Sequence, residues 1–259
     1  MTIRDITSVI ESWAPLGIQE DWDNSGLIIG NYEDGVSGVL LAFDCTADTV
    51  REAVSKGCNM IITHHPLIYK GVRHIRRGEC VGEAIIEAVR NSVAIYAAHT
   101  NADKTDGGVS WAMARRLGLR DVKILSDEGG YGFGAVGMLE KPLSGEQALE
   151  YVASRFGVKV IRHSAPVAKI EKVAVLGGSG SSFIPKALEA GAQLYICGDI
   201  SYHYFFADEG LMLMDIGHFE SEVEIVDIFF SLIRKNFPTF AVLKSEDLEG
   251  SNPVHYYVK

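Results

Sequence analysis

The sequence predicts an α/β fold of two lobes, each with a mostly parallel sheet that is flanked by helices. Two observations predict this class. Short apolar runs typical of buried strands alternate with amphipathic segments of helical period, which is the pattern of a parallel sheet covered on both faces. The alternation starts again after the glycine-rich stretch 129–134, which is the best candidate for a hinge between lobes. The 259 residues suffice for one large domain or two modest ones.

The first lobe begins with a predicted helix over 2–13, whose apolar residues share one face. A turn rich in acidic residues then leads into a short strand at 27–29. Thr46 is a predicted N-cap, and Gly57 a predicted stop, for the helix between them. The other elements predicted here are strands at 39–44, 59–63 and 93–98 and a helix around 83–90.

A further helix is predicted over 108–117, and the second lobe follows the glycine-rich stretch. Ser144 and Gln147 form a capping-box signature for a helix that ends near Phe156. The remaining predicted elements are strands at 134–139, 158–161, 173–176, 193–197 and 211–215, a helix ending near 189 and a long helix over 218–237. We therefore place the first lobe at about 1–128 plus 236–259 and the second at about 129–235.

Composition and charge narrow the class of function. Hydrophobic residues make up 47% of the chain and charged residues 22%, as in ordinary globular proteins. The net charge of −10 and the pI of about 5.3 argue against nucleic-acid binding, which normally needs a basic surface. One short basic run is predicted to be a solvated loop, namely Arg73, His74, Arg76 and Arg77.

The cysteines and the amino-terminal residues indicate a compartment. The four cysteines are widely spaced and form no Cys-x-x-Cys pair, which is typical of reduced thiols rather than of disulfides or a thiolate zinc site. The amino terminus has no apolar signal core, and no stretch reaches the roughly 20 apolar residues that span a bilayer. We expect a cytoplasmic protein that does not enter the membrane.

Two adjacent histidines, His64 and His65, end the buried strand at 59–63. Neighbouring residues of a regular strand point to opposite faces, so the two rings can converge only where the chain bends, and Pro66 favours such a bend. The carboxyl end of a buried strand is also where open α/β sheets place their ligands. The alternative is one exposed loop histidine and one core histidine bonded to backbone.

Two further strand ends offer ligands of the same type. His99 and Asp103 follow the strand at 93–98, while His218 and Glu222 lie four residues apart at a helix start and therefore share one face. Imidazole and carboxylate ligands suit zinc, iron, manganese, cobalt or nickel. Three histidines and two carboxylates exceed one tetrahedral site, so the set fits a dinuclear centre with a bridging carboxylate. Alternatively, Glu222 only complements its helix dipole.

Two other motifs carry weaker hypotheses. The three acidic residues Glu20, Asp21 and Asp23 can serve a cation, but such runs are usually solvated turns with capping side chains. The glycine-rich segment 177–182 can present backbone N–H groups to a phosphate at a helix start. Because its spacing matches neither a Walker nor a dinucleotide motif, we favour a tight strand-to-helix turn.

The chain resembles the NIF-three-like family, also named GTP cyclohydrolase I type 2, over essentially its whole length. The resemblance rests on ordered motifs at 21–27, 62–66, 98–103, 177–180, 198–203 and 217–222. It implies a single family unit over 1–259 with two interlinked α/β lobes and no inserted domain, assembled into a ring-shaped homohexamer.

The resemblance also implies the site residues. The metal ligands that it implies for a two-metal site are His64, His65, Asp103, His218 and Glu222, with Glu222 as the bridge. His99 and Glu222 are the candidate catalytic residues. His99 either orients a ligand or donates a proton, or else is a packed histidine bonded to its neighbours. His203 is a weaker candidate that lines the same cleft.

From these residues we predict a metal-dependent hydrolase that acts on a small molecule. The family name suggests GTP or another nucleotide as the substrate. In that reaction the purine C8 of GTP is opened and formate is released. Phosphoester and amide hydrolysis suit the same metals. The alternative function is a non-enzymatic metal-binding or regulatory scaffold, and a third possibility is that the metals are structural.

Overall fold

The computed structural model describes residues 1–207, 210–246, 248 and 250–257. The chain divides into two compact units, of which the first comprises Met1–Ala102 and Ile225–His255. The second comprises Asp103–Glu224 and the residues from Tyr256 onward. Each unit has its own sheet flanked by helices, so the predicted α/β class is confirmed. No helix within the described ranges has the length and apolar character needed to cross a bilayer.

The sheet of the first unit is mostly parallel, as predicted. Its strand order is β1-β4-β3-β2-β11, and only the β1–β4 pair is antiparallel among the described strands. The strands are β1 (Gly26–Ile29), β2 (Val39–Ala42), β3 (Met60–Thr63), β4 (Ala94–Ala97) and β11 (Val242–Lys244). The central strands β2, β3 and β4 are buried along their whole length because helices cover both faces.

Four longer helices cover this sheet, namely α1 (Ile3–Trp13), α2 (Ala47–Ser55), α3 (Cys80–Arg90) and α9 (Ile225–Asn236). Thr46 caps α2 with a capping box, as its sequence predicts. Leu40, Ile61 and Ile95 are paired across neighbouring strands and pack in one cluster with the apolar residues of α2 and α3. Tyr96 points to the other face, where its hydroxyl donates to Glu11 of α1 at 3.2 Å.

The register of the three parallel strands positions a row of polar side chains. Ala42 pairs with Thr63, and Thr63 pairs with Ala97. The residues that follow these three positions therefore leave the sheet side by side at its carboxyl edge. They include Asp44, His65 and His99.

The sheet of the second unit is mixed. Its strands are β5 (Arg120–Asp127), β6 (Gly132–Leu143), β7 (Arg162–His163), β8 (Ile170–Ser179), β9 (Leu194–Gly198) and β10 (Met212–Asp215), in the order β5-β6-β8-β9-β10-β7. Only β8–β9 and β9–β10 are parallel among the described pairs. The expectation of a mostly parallel sheet is therefore wrong for this unit, because a long β5–β6 hairpin and the short β7 add antiparallel pairs.

Helices cover both faces of this second sheet as well. They are α5 (Val109–Arg116), α6 (Gly145–Phe156), α7 (Ile184–Glu189) and α8 (His218–Glu222). Side chains alternate between two clusters, since Val173 and Val175 pack with α5 and α6 whereas Ala174 and Leu176 pack with α7. The chain passes from the first unit to the second within the short helix α4 (Thr100–Lys104).

The glycine-rich stretch 129–134 is not a hinge between lobes. Gly129 and Gly130 form the turn of the β5–β6 hairpin, where both have positive φ and both donate their N–H to the Asp127 carboxylate. The first unit ends at Ala102, so residues 103–128, which the sequence analysis assigns to the first lobe, belong to the second unit.

Two other elements differ from the sequence prediction. Residues 158–161 form no strand. Arg162 and His163 instead form the strand β7, which pairs with β10. The predicted long helix from His218 is interrupted after Glu222 and resumes at Ile225 as α9. Apolar periodicity alone does not show this break, because both pieces keep a buried face.

Candidate metal centre

Three histidines of the first unit come together at the carboxyl edge of its sheet. Ring nitrogens of His64, His65 and His99 lie within 4.8 Å of one another. Both rings of the His64–His65 pair also contact the buried Phe43, which stacks on His64 with centroids 5.9 Å apart and meets His65 edge-on at 4.7 Å. The bend after β3 thus brings both adjacent imidazoles to one place, where His64 is buried and bonded to the backbone while His65 is partly exposed.

The Nδ1 atom of each of these three rings is hydrogen-bonded to an oxygen atom. The distances are 2.8 Å from His64 to the carbonyl of Ala98, 2.8 Å from His65 to Asp44 Oδ1 and 2.7 Å from His99 to Asp23 Oδ1. Carbonyl and carboxylate oxygens only accept hydrogen bonds, so Nδ1 must donate in each case. In the neutral ring the lone pair then belongs to Nε2, which is the tautomer that metal-ligating histidines use.

Asp23 is an orienting residue rather than a ligand. Its fully buried side chain accepts hydrogen bonds from His99, from the N–H and hydroxyl of Thr100 and from the N–H of Asn24. Burial opposes ionisation, but the hydrogen bond and the charge of His99, together with the bonds from Thr100 and Asn24, hold the pKa of Asp23 well below its ordinary value. Of the two hypotheses for the acidic turn, Asp23 fits the capping one.

The second unit has its own cluster of candidate ligands, formed by Asp103, His218 and Glu222. Carboxylate oxygens of Asp103 and Glu222 lie within 4.8 Å of each other. His218 Nε2 is 3.0 Å from Glu222 Oε2, while His218 Nδ1 is 2.7 Å from Asp199 Oδ2. Because Cys197 of β9 pairs with Asp215 of β10, the residues after these two strands leave the sheet together.

This second cluster concentrates negative charge around one imidazole. A neutral ring donates to only one of its two carboxylate neighbours, so the second contact requires a further proton or a metal ion between the two groups. The Glu222 side chain is almost fully buried, which makes an uncompensated charge there costly. The cluster is therefore electrostatically suited to a cation.

Gly178 of β8 and Ser221 of α8 fit this cluster closely. A Cβ at Gly178, which has a φ of +66°, would collide with Glu222 Oε1 and lie 3.3 Å from His218 Cε1. The Gly178 N–H donates to Ser221 Oγ at 2.9 Å, and Ser221 Oγ donates to the carbonyl of His218 at 2.7 Å. The glycines at 177–178 thus allow the close approach of β8 to the ligand helix, which is the role of a tight backbone rather than of a phosphate cradle.

The donor set fits a divalent metal. Imidazole nitrogens and carboxylate oxygens are ligands of zinc, iron, manganese, cobalt and nickel. All four cysteines are free, and burial raises the pKa of Cys45 and of Cys197 to about 12 each, so neither supplies a thiolate at neutral pH.

Sequence reasoning missed the orienting residues Asp23, Asp44 and Asp199. The available signal was a carboxylate directly after a predicted strand, which holds for Asp44 and Asp199. His203 lies exposed in a 3-10 turn at Tyr202–Phe205, where its ring contacts Tyr202 at 5.3 Å. Among the described residues, the groups that can hold a metal do not include His203.

Comparison with known proteins places this arrangement in a family. The chain matches the family model described as Duf34/NIF3 (NGG1p interacting factor 3) over residues 1–249. A Clostridium perfringens protein named GTP cyclohydrolase 1 type 2 homolog is 35% identical over 228 residues, which is 86% of this chain and 87% of that protein.

Solved structures agree with this match. The crystal structure of a hypothetical protein from Staphylococcus aureus is similar with a TM-score of 0.91 and 26% identity, covering 99% of each chain. Reduced HcgD from Methanocaldococcus jannaschii is similar with a TM-score of 0.81 and 28% identity, covering 95% of this chain and 98% of that one. The chain belongs to the Duf34/NIF3 family.

Proposed function

We propose that this protein is a metal-dependent hydrolase with a dinuclear centre, acting on a small molecule of the nucleotide class such as GTP. The residues that would hold the metals are His64, His65, Asp103, His218 and Glu222, with Glu222 as the proposed shared ligand. The observation that carries the proposal is the orientation of the imidazoles, because Nδ1 of His64, His65 and His218 each meets an oxygen at 2.7–2.8 Å. Such contacts orient histidine ligands in metal enzymes.

The relatives favour hydrolysis as the reaction. Proteins named GTP cyclohydrolase 1 type 2 homolog match most of this chain. Divalent metals act as Lewis acids and lower the pKa of water, which supplies a nucleophile at neutral pH. Opening of a purine at C8 consumes two waters, one for each C–N bond of that carbon, and releases it as formate.

His99 is the residue that we propose moves protons. Its Nδ1 is held by Asp23, so Nε2 is the atom that accepts a proton from attacking water and returns it to the leaving nitrogen. The buried Asp23 carboxylate stabilises the imidazolium formed between these two steps, as in other carboxylate–imidazole pairs. The carboxylate of Glu222 contributes by holding the metals in place.

Turnover with defined substrates tests the reaction. Metal-loaded protein is incubated with GTP and with a panel of phosphoesters, and formate and phosphate are measured. We expect formate from GTP, with His99→Ala reducing kcat about 100-fold while the metal content stays unchanged. His163→Ala is the control, because His163 is exposed on β7 and bonded to the carbonyl of Ser164. Phosphate release alone would redirect the proposal to phosphoester hydrolysis.

A second candidate function is a metal-binding or regulatory scaffold that acts through a partner protein. The family description favours it, since it names an interacting factor. This function predicts bound metal without turnover on any substrate of the panel. It also predicts that a partner interaction is lost when Glu222 is replaced by Ala.

We also propose a ring-shaped homohexamer, which the resemblance to the family implies. Light scattering coupled to size-exclusion chromatography tests it. We expect about six times the 28.2 kDa chain mass, and a monomer or dimer at micromolar concentration would contradict it.

A further inference from the structure

Two exposed aromatic side chains stand beside the histidines of the first unit. Trp22 is 55% exposed and Tyr69 is 47% exposed, although both are large apolar groups. Their ring centroids are 5.9 Å apart with an interplanar angle of 71°, and each ring lies 6.3 Å from the ring of His99. We call Trp22 and Tyr69 the aromatic corner. Large exposed apolar groups next to a candidate site are typical of ligand contacts.

Hydrogen bonds hold the aromatic corner in place from both sides. Asn24, two residues after Trp22, donates its side-chain N–H to the carbonyl of Ile68 at 2.6 Å, which ties the turn of Trp22 to the residue before Tyr69. Asp23, adjacent to Trp22, anchors the same turn to His99 and Thr100. The two rings are therefore positioned by the backbone of their turns rather than by packing into the core.

The angle between the two rings selects the kind of group that fits there. Aromatic pairs prefer offset stacking or edge-to-face contact. A planar ring that stacks on one wall of the corner presents its edge to the other wall, so both preferred contacts form at once. An aliphatic group or a lone phosphate gains neither contact.

We propose that the aromatic corner binds the planar heteroaromatic ring of the substrate, so that Trp22 and Tyr69 are its specificity residues. This inference rests on the proposed function, because it names the ring-bearing class of substrate for that hydrolase. A nucleobase bound there has its edge next to the ring of His99, the group proposed to move protons.

Equilibrium binding measured by calorimetry tests the inference without relying on turnover. Guanosine is titrated into the full-length protein as purified, and ribose serves as the probe that lacks the ring. We expect guanosine to bind and ribose not to bind. Trp22→Ala and Tyr69→Ala should each raise the guanosine Kd about tenfold, while Trp22→Phe should stay within about threefold of the original protein.

A matched control and a ligand variant separate this inference from the metal proposal. Phe206→Ala removes a 75% exposed aromatic ring of the second unit and should leave the Kd unchanged. Glu222→Ala should lose metal and still bind guanosine, because stacking needs no metal. If the original protein binds guanosine but holds no metal after reconstitution and turns over no substrate, the aromatic corner is supported and the proposed hydrolase is contradicted.

Three results would overturn the inference. The first is equal guanosine affinity in Trp22→Ala and the original protein, whatever the enzymatic activity. The second is loss of guanosine binding in Glu222→Ala but not in Trp22→Ala, which would assign the binding to the metals. The third is a Trp22→Ala protein with normal guanosine binding and a smaller mass in light scattering, which would make the corner a contact between copies of the chain.

Discussion

A carboxylate paired with an imidazole is the recurring unit of this protein at the scale of single residues. Asp44 holds His65, Asp23 holds His99 and Asp199 holds His218, each at 2.7–2.8 Å. Such a partner fixes the ring orientation and the tautomer, and it raises the basicity of the other nitrogen. In the proposed metal site, Asp44 and Asp199 would therefore influence how well His65 and His218 bind a metal.

We predict that Asp44→Ala lowers metal affinity about 10- to 100-fold, because His65 loses the acceptor that fixes its ring. Asp44→Asn should lose less, since an amide oxygen still accepts from Nδ1. Competition with a chromophoric chelator measures both affinities. Asp48→Ala is the control, because Asp48 lies on α2 and pairs only with Arg51 among the described residues. Equal affinities for all three variants would show that Asp44 has no part in metal binding.

The lowered pKa of Asp23 leads us to predict that the stability of the fold depends on pH. Its folded-state pKa lies below its ordinary value, so it stabilises the fold above the unfolded pKa of about 3.9. That contribution is lost as the pH falls from about 4 through the folded pKa. Asp23→Asn should therefore cost about 2 kcal/mol at pH 7 and less at pH 3, where the loss of this contribution has begun.

Denaturant unfolding of the original protein and of Asp23→Asn at pH 7 and at pH 3 measures this difference. Asp21→Asn is the control, because Asp21 lies two residues before Asp23 and is exposed, and it should change the free energy of unfolding by less than about 0.5 kcal/mol. A cost for Asp23→Asn that is the same at both pH values would contradict the assignment of charge to Asp23.

At the scale of secondary structure, the same arrangement occurs once in each unit. A carboxylate after one parallel strand holds the imidazole after the next strand, as Asp44 and His65 do after β2 and β3 and as Asp199 and His218 do after β9 and β10. Parallel pairing in register produces this juxtaposition, because it aligns the carboxyl ends of neighbouring strands.

The close approach of β8 to α8 gives a prediction about Gly178. Gly178→Ala should lower metal affinity and destabilise the protein by about 2–4 kcal/mol, because the added methyl collides with the Glu222 carboxylate. Gly157→Ala is a matched control, since Gly157 has a similar φ of +69° and nothing within 4 Å of an added Cβ. It should cost only about 1 kcal/mol and leave metal binding unchanged.

We would measure thermal unfolding and metal content on the two glycine variants. These measurements distinguish backbone strain from a collision with the Glu222 carboxylate. Similar losses in both would show that the positive φ alone matters. A normal metal content in Gly178→Ala would contradict the close packing against Glu222.

The elements that could be predicted from sequence are those with a strong local signal. β2, β3 and β4 are short, apolar and fully buried, and α2 and α6 begin with recognisable capping residues. The edge strand β5 was missed, because half-exposed residues with several charges lack that signal. The mixed sheet depends on which distant strands become neighbours, and the pattern along the chain does not encode this.

The candidate site likewise contains residues that the sequence predicts and residues that it does not. Its histidines and carboxylates were predicted because they follow apolar strands directly. The hydrogen-bond partners of those residues could not be predicted in this way. Asp44 and His65 are 21 residues apart, and Asp23 and His99 are 76 residues apart. Only the pairing of strands and the path of the turns bring them together. The sequence predicts a turn at Gly178 but not its close approach to Glu222, because that contact is also non-local.

For the whole molecule, each unit brings one set of candidate ligands to the carboxyl edge of its own parallel strands. The first unit contributes imidazoles, and the second contributes two carboxylates and one imidazole. The division of the chain after Ala102 assigns Asp103 to the second unit. Imidazoles and carboxylates are the ligand types that the proposed metal centre requires.

The most direct test of this account is the metal content per chain, measured by plasma mass spectrometry on untagged protein and on the His65→Ala and Glu222→Ala variants. The account predicts about two metal ions per chain, with the content reduced in both variants and unchanged in His163→Ala. Protein that stays free of metal after reconstitution, or variants that keep the full content, would contradict it.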